Sequence, residues 1–411
     1  MSETHPPTVT DLVEEKFPGA VLESVVQGWV YLEDFERGID AYAQLDEPTA
    51  DDDRWVGVCH FQLIEDGRAQ SYFEQAAQRG QQAARVNLAH LLRMSDRADV
   101  AADELQRVDF ARLTPYDQVF FLRVKSIHEE TNGNLREALR YAEEAWRRLQ
   151  GLPEFPILAP SILSQLGILH GRIGRAQRAL WFLERGIQLT EGLQQQKARI
   201  RWATILVAQG RVSDAQQALE IIKVDSLPEP MTVELAWLKA EIGLMNEDLP
   251  EAERQYESAI QVAQQHQVVY EEFLCQLGLA TTQAFRGEVT RAMDHLARAQ
   301  ELISDRSDQL AYRFREVLVF QTAGVYRSEH AIRELTDAAT AFGDMGLLQE
   351  QGFVRFHIAR LKHAIGDPSL AEEFAALDAL GMSLQNPSFL QREIGFAPEM
   401  KHHLKTTPAT T

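Results

Sequence analysis

Two nested periods organise the hydrophobic and polar positions of this chain. The short one is helical, with apolar side chains recurring at i, i+4 and i+7 on one face and charged side chains opposite. The long one is a repeat of the helical pattern itself, seen in LGILHGRIGRAQRALWFLERGIQL from Leu166, WATILVAQGRVSDAQQALEII from Trp202, WLKAEIGLMNEDLPEAERQYESAI from Trp237 and LGLATTQAFRGEVTRAMDHLARA from Leu277. Each copy predicts two amphipathic helices joined by a short polar turn.

Aligning the copies on the small residue early in the second helix gives Gly38, Ala69, Ala101, Ala138, Ala179, Ala215, Ala252, Ala292, Ala331 and Ala371, at intervals of 31 to 41 residues. Four positions later stands a larger side chain (Tyr42, Phe73, Leu105, Leu183, Leu219, Tyr256, Leu296, Leu335), and three further on a small one, such as Ala76, Ala145, Gly186 or Ala259. Twelve positions before the anchor lies another small residue, among them Gly57, Ala89, Ser126, Gly167, Ala203, Ala240, Ala280 and Ala359. Small residues let crossing helices approach, and the large residue between them fills the neighbour's groove. Gly133, Gly174, Gly210, Gly287 and Gly366, five positions before their anchors, are placed where a helix end needs positive φ.

These small and large positions resemble the tetratricopeptide repeat (TPR) family over roughly residues 22 to 381. The resemblance implies an all-α fold, a right-handed superhelical solenoid of about ten TPR-like helix-turn-helix repeats. The stretched repeats look like those of bacterial signalling and transcription-regulator sensor domains. The segment LIEDGRAQSYFEQAAQRGQQAARVNLAHLL also looks like the related Sel1-type repeat.

Proline marks the expected divisions. Residues 1–21, with Pro6, Pro7 and Pro18, read as an acidic mobile lead-in, and residues 22–150 as the N-terminal repeats. GLPEFPILAP, residues 151–160, removes three backbone donors and reads as a break that no helix crosses. Residues 161–381 form the C-terminal repeats, and residues 382–411 a capping helix around SFLQREIGF with a disordered tail.

The 411 residues carry 61 Asp and Glu against 41 Lys and Arg, a net charge of −20 that repels polyanions and argues against direct nucleic-acid binding. Residues 1–66 alone hold 16 carboxylates against Lys16, Arg37 and Arg54. This acidic end is either a solvated cap or a surface that docks a basic partner or the chain's own basic face. Two cysteines, Cys59 and Cys275, lie far apart outside any C-x-x-C pair, and a reducing cytoplasm is the expected location. No signal-peptide pattern opens the chain and no apolar run reaches membrane-spanning length, so no membrane association is expected.

Phosphate-binding, nucleophile-elbow and zinc-protease motifs do not occur. EPTADDD, residues 47–53, lacks the alternating ligands and central Gly of a calcium loop and reads as an acidic turn between repeats. His357 and His363 are six apart, off the spacing that would share a helix face, so neither metal nor cofactor is expected. The chain reads as non-catalytic.

A stack of helical pairs lines its concave side with first helices. By position, the groove residues are Arg123, Lys197, Glu234, Trp237, Glu241, Arg313, Phe353, Phe356 and Arg360, with Ile127, Ile200, Thr204 and Glu316 beside them. The aromatics are either anchors for a partner's apolar side chains or inter-repeat core, and the cations either hold carboxylates of a partner or pair within the chain. Two functions follow. One is a scaffold or adaptor binding a peptide or helix of a partner protein, self-association included. The other is a signal-responsive regulator, in which a peptide or partner acts on a transcription or signalling protein.

Overall fold

The computed structural model describes residues 7–384, apart from 64, 95–96, 154, 225–226, 228, 247, 267 and 304–305, together with Leu390 and Met400. The capping helix and tail expected near the C-terminus lie outside the described residues. Among those described, a leading helix α1 (Val9–Lys16) is followed by ten helical pairs. They are α2 (Val25–Tyr31) with α3 (Phe35–Ala43), α4 (Ala50–Gln62) with α5 (Asp66–Gln78), α6 (Gln82–Met94) with α7 (Ala98–Gln106), α8 (Pro115–Thr131) with α9 (Leu135–Leu149), and α10 (Phe155–Arg172) with α11 (Ala176–Gln188). Then come α12 (Gly192–Ala208) with α13 (Val212–Glu220), α14 (Glu229–Met245) with α15 (Leu249–His266), α16 (Val269–Phe285) with α17 (Val289–Glu301), α18 (Arg306–Thr322) with α19 (Ser328–Asp344), and α20 (Leu348–Ile365) with α21 (Leu370–Leu384). This is the all-α TPR-type helical-repeat fold.

The periodic residues do the packing expected of them. Nine of the ten anchors, from Gly38 to Ala331, are buried; Ala371, at the start of α21, is exposed because the last helix is held instead through Leu377 and Leu384. The large residue four positions on sits against small residues of a first helix. A Cβ added to Gly167 would come within 2.5 Å of Leu183 Cγ, and one added to Gly57 within 2.7 Å of the Phe73 ring. The five turn glycines have φ between 67° and 80°, where a side chain is strained.

Contacts divide the chain into two compact units, Met1–Thr131 with Glu137–Gln165, and Asn132–Arg136 with Leu166–Thr411. In the first, a chain of edge-on rings runs from Phe17 through Tyr31 to Trp55, with centroids 6.1 and 6.0 Å apart. Where a mobile lead-in was expected, α1 forms. Thr8 accepts from the Asp11 backbone N–H at 3.3 Å while Asp11 accepts from that of Thr8 at 2.8 Å, and Val13 and Phe17 are buried. Pro7 precedes this cap and Pro18 follows the last turn, so both lie outside the helix.

EPTADDD is likewise the start of a helix. Thr49 and Asp52 form a second capping box at the head of α4, and the acidic first turn faces the positive end of the helix dipole. The expected proline break is also corrected, because α10 runs through Pro156 and Pro160. Pro156 falls in the first turn, where the N–H has no intrahelical acceptor, so only Pro160 costs a bond in the ladder. Burial of Leu158, Ile162, Leu163, Leu166 and Leu169 offsets that loss.

In the second unit the repeats return on themselves. The Gln349 side chain at the head of α20 donates to the backbone carbonyl of Ala208, the last residue of α12, at 3.2 Å and 141 residues distant.

Candidate functional site

Successive first helices pack on one another, α4 on α6 and α6 on α8 in the first unit, α12 on α14, α14 on α16 and α16 on α18 in the second. Successive second helices make no comparable contact among the described residues. First helices therefore line the inner side of each curve.

In the second unit this inner face joins opposite charges on neighbouring helices. Lys197 and Arg201 lie on α12, Glu234 and Trp237 on α14, and Glu271 on α16, all half-buried. Burial, reinforced by Arg201, holds the Lys197 ammonium below its usual value. Burial also lifts the Glu234 carboxyl, with Arg201 opposing and Glu271 reinforcing the rise, and burial lifts Glu271. Each of these groups has lost water that a bound partner's charge would replace. Trp237 packs against the cores of both adjoining repeats while keeping part of its ring accessible.

In the first unit the inner face carries His90 and Arg93 on α6, and Phe120, Arg123, Ile127 and Glu130 along one side of α8. The Arg123 guanidinium lies 6.0 Å from the centre of the Phe120 ring, and Phe120 meets His90 edge-on at 6.1 Å. Gln165 donates to Glu130 at 2.7 Å.

Of the residues expected in the groove, Arg123, Lys197, Glu234 and Trp237 are half-buried on these faces. Phe353 and Phe356 are not groove residues: both are buried, Phe356 completely, in a tightly filled stretch of α20. Glu241 is interior as well and accepts from the Tyr256 hydroxyl at 2.6 Å. It lies seven residues after Glu234 on the same side by spacing, but Tyr256 of the paired helix α15 reaches it there. Arg313 is exposed but pairs with Glu334 of α19 at 2.9 Å, sideways from the groove. Arg360 donates to Gln321 at 3.0 Å. Among the secondary candidates, Ile200 is fully buried and Glu316 accepts from Tyr312 at 2.9 Å.

His90, Arg93, Arg201 and Glu271 escape the sequence reading. The signal for Arg93 is present: it stands four positions after the small residue Ala89, as Glu130 does after Ser126. The expected groove residues stopped one position past that small residue, at Ile127, Thr204, Glu241 and Arg360, one turn too early.

Both cysteines are buried, and burial raises the thiols, Cys59 to about 12, Cys275 further with help from Glu241. Among the described residues no group of three or more His, Cys, Asp or Glu side chains could hold a metal ion, and no helix is long and apolar enough to cross a membrane.

No family model and no curated protein matches the sequence. Solved structures do resemble it. A Rap protein complexed with competence and sporulation factor is 12% identical, with a TM-score of 0.69 over 82% of this chain and 98% of the other. The apo quorum sensor NprR of B. thuringiensis is 12% identical, with a TM-score of 0.53 over 90% and 99%. Aspartyl phosphate phosphatase F of Bacillus subtilis is 11% identical, with a TM-score of 0.51 over 86% and 90%. At such identities the likeness is one of fold.

Proposed function

We propose that this chain is a non-catalytic regulator or adaptor that binds a peptide or helix of a partner protein against its first-helix faces. The observation that carries this reading is the inner face of the second unit, where Arg201 of α12 acts on Glu234 of α14, with Lys197, Glu271 and the part-accessible Trp237 half-buried on the same first helices. An extended peptide brings both signs of charge and an apolar side chain, which is what such a face would satisfy. Two of the structurally similar proteins are a Rap protein in complex with a factor and a quorum sensor, which favours signal response over constitutive scaffolding.

In this reading the protein works in the cytoplasm without cofactor, and its net charge of −20 disfavours direct contact with nucleic acid. The non-catalytic reading draws on the two thiols, which burial leaves protonated and poorly nucleophilic. The copy across α5 and α6 is read as the Sel1-related one, supported by the short 31- and 32-residue intervals around it.

The test is retention of N-acetylated pentapeptides of randomised sequence on the immobilised chain, read by mass spectrometry, for wild type and the charge-reversed pair Lys197→Glu with Glu234→Lys. Expected is a sequence-selective set held by wild type and a different set held by the reversed pair. No selectivity in either protein would overturn the reading.

A further inference from the structure

The second helices of the second unit carry a charge arrangement that the first-helix groove does not use. In two of them, the residues four and one positions before the small anchor form an ion pair that closes the first turn. Arg211 donates to Asp214 at 2.6 Å at the head of α13, and Arg291 pairs with Glu288 at 2.7 Å at the head of α17. At the head of α11 the same two positions are Arg175 and Arg178, and no acidic residue stands in the first turn. Two cations there face the positive end of the helix dipole, which is unfavourable for the helix itself.

Arg175, Arg178 and Arg185 are all exposed, and among the described residues none of the three side chains has a hydrogen bond or ion pair. Glu184 is the one carboxylate of α11, and it projects about 100° round the helix from Arg185. Between the arginines, two positions past the anchor Ala179, stands Trp181, 55% exposed. That position is polar in every other copy, from Asp40 to Glu373. The Trp181 ring is braced edge-on against Phe182 at 4.9 Å, and Phe182 is stacked on the buried His170 at 5.3 Å. Arg178, Trp181 and Arg185, at i, i+3 and i+7, share one face of α11, with about 10 Å along the axis between the two arginines. An unpaired cationic face around an exposed indole breaks the local rules of a solvated helix, and Arg with Trp is the composition of a protein-binding hot spot.

We propose that this face of α11 docks an acidic amphipathic helix of a partner protein, whose carboxylates seven residues apart meet Arg178 and Arg185 and whose apolar side chain between them covers Trp181. The surface is separate from the first-helix faces and does not rest on the groove reading. Charge complementarity selects the occupant. A short acidic helix matches a stripe of about 10 Å, whereas the phosphates of a nucleic acid or a lipid surface extend past it toward a chain of net charge −20.

The test uses fluorine NMR of the full chain made with fluorotryptophan, in which Trp181→Phe identifies one of six resonances. The probe is an alanine-based helical peptide of about 20 residues with Glu pairs seven apart around Leu, and its counterpart has Lys in place of Glu. The Glu peptide is expected to shift the Trp181 resonance, with the Lys peptide leaving it in place. Arg178→Glu with Arg185→Glu should weaken the Glu peptide about tenfold and bind the Lys peptide instead. These side chains have no partner in the chain, so the variant should melt with the wild type and lost binding is not lost folding.

A Trp181 resonance that the Glu peptide leaves in place, or that both peptides shift alike, would overturn the proposal. So would a shift at Trp237 alone, which would put the peptide in the groove. A larger shift with vesicles of phosphatidylglycerol and phosphatidylcholine, or with a short DNA duplex, would overturn the protein partner in favour of a lipid surface or a nucleic acid. A Trp181 resonance that moves with chain concentration, no peptide being present, would assign the face to a second copy instead.

Discussion

Arg54 of α4 grips Asp117 of α8 with both terminal nitrogens, Nη1 donating to Oδ2 at 3.1 Å and Nη2 to Oδ1, across 63 residues of sequence. Both side chains are buried, and the surroundings complete the site. Asn87 of α6 accepts from Nε at 3.1 Å, Thr114 donates to Asp117 at 2.8 Å, Glu23 stands 3.8 Å away, and the guanidinium lies 4.3 Å from the centre of the Trp55 ring. One cation thus ties three successive first helices together. Burial and the Asp117 charge raise the Glu23 carboxyl, with Arg54 opposing.

Removing one partner strands the other in the interior. Asp117→Ala is expected to destabilise the first unit by about 3–5 kcal/mol, and Arg54→Met with Asp117→Leu together by less than that single change. Urea unfolding followed by probes in each unit separately checks this, since two units need not unfold in one step.

His170 gives the second unit a pH dependence. The ring is buried and stacks on Phe182 at 5.3 Å, and burial, then Arg175 and Arg178, lower its pKa from 6.5 to about 4. The folded ring stays neutral while the unfolded chain takes up a proton, so stability is complete above about pH 6.5 and falls as the pH drops toward 4. In His170→Phe the stability difference between pH 7 and pH 5, measured by denaturant titration, should shrink.

Two glycines should respond in opposite directions to the same substitution. A Cβ on Gly278 would strike the Tyr256 ring, so Gly278→Ala should cost about 1–3 kcal/mol. A Cβ on Gly67, near the start of α5, would meet nothing within 4 Å, and Gly67→Ala should gain about 0.5 kcal/mol. Melting temperatures of the two variants decide it.

The hydrogen bond from Gln349 to the Ala208 carbonyl should be worth about 1 kcal/mol, since Gln349→Ala leaves that carbonyl at a helix end without its donor. Hydrogen exchange should quicken in the last turn of α12 and the first of α20, far apart in sequence, and not in α16.

What the sequence determined by itself is local and periodic. Small residues at fixed spacing can pack only as crossing helices, and glycines five positions before several of them must turn, so nine pairs are legible from Gly38 to Ala331. The helix at Val9–Lys16 was also written there, as Thr8 followed by Asp11, though the flanking prolines masked it. Tertiary structure alone decided which polar side chains stay at the groove. Glu234 and Glu241 share a helix face by spacing, yet one borders Arg201 and the other meets Tyr256, because the neighbouring helix and not the period sets what each faces. Arg54 and Arg93 are both arginines on first helices. Asp117, 63 residues downstream, satisfies one, while the other is left with an unmade bond, and no one-dimensional pattern records that difference.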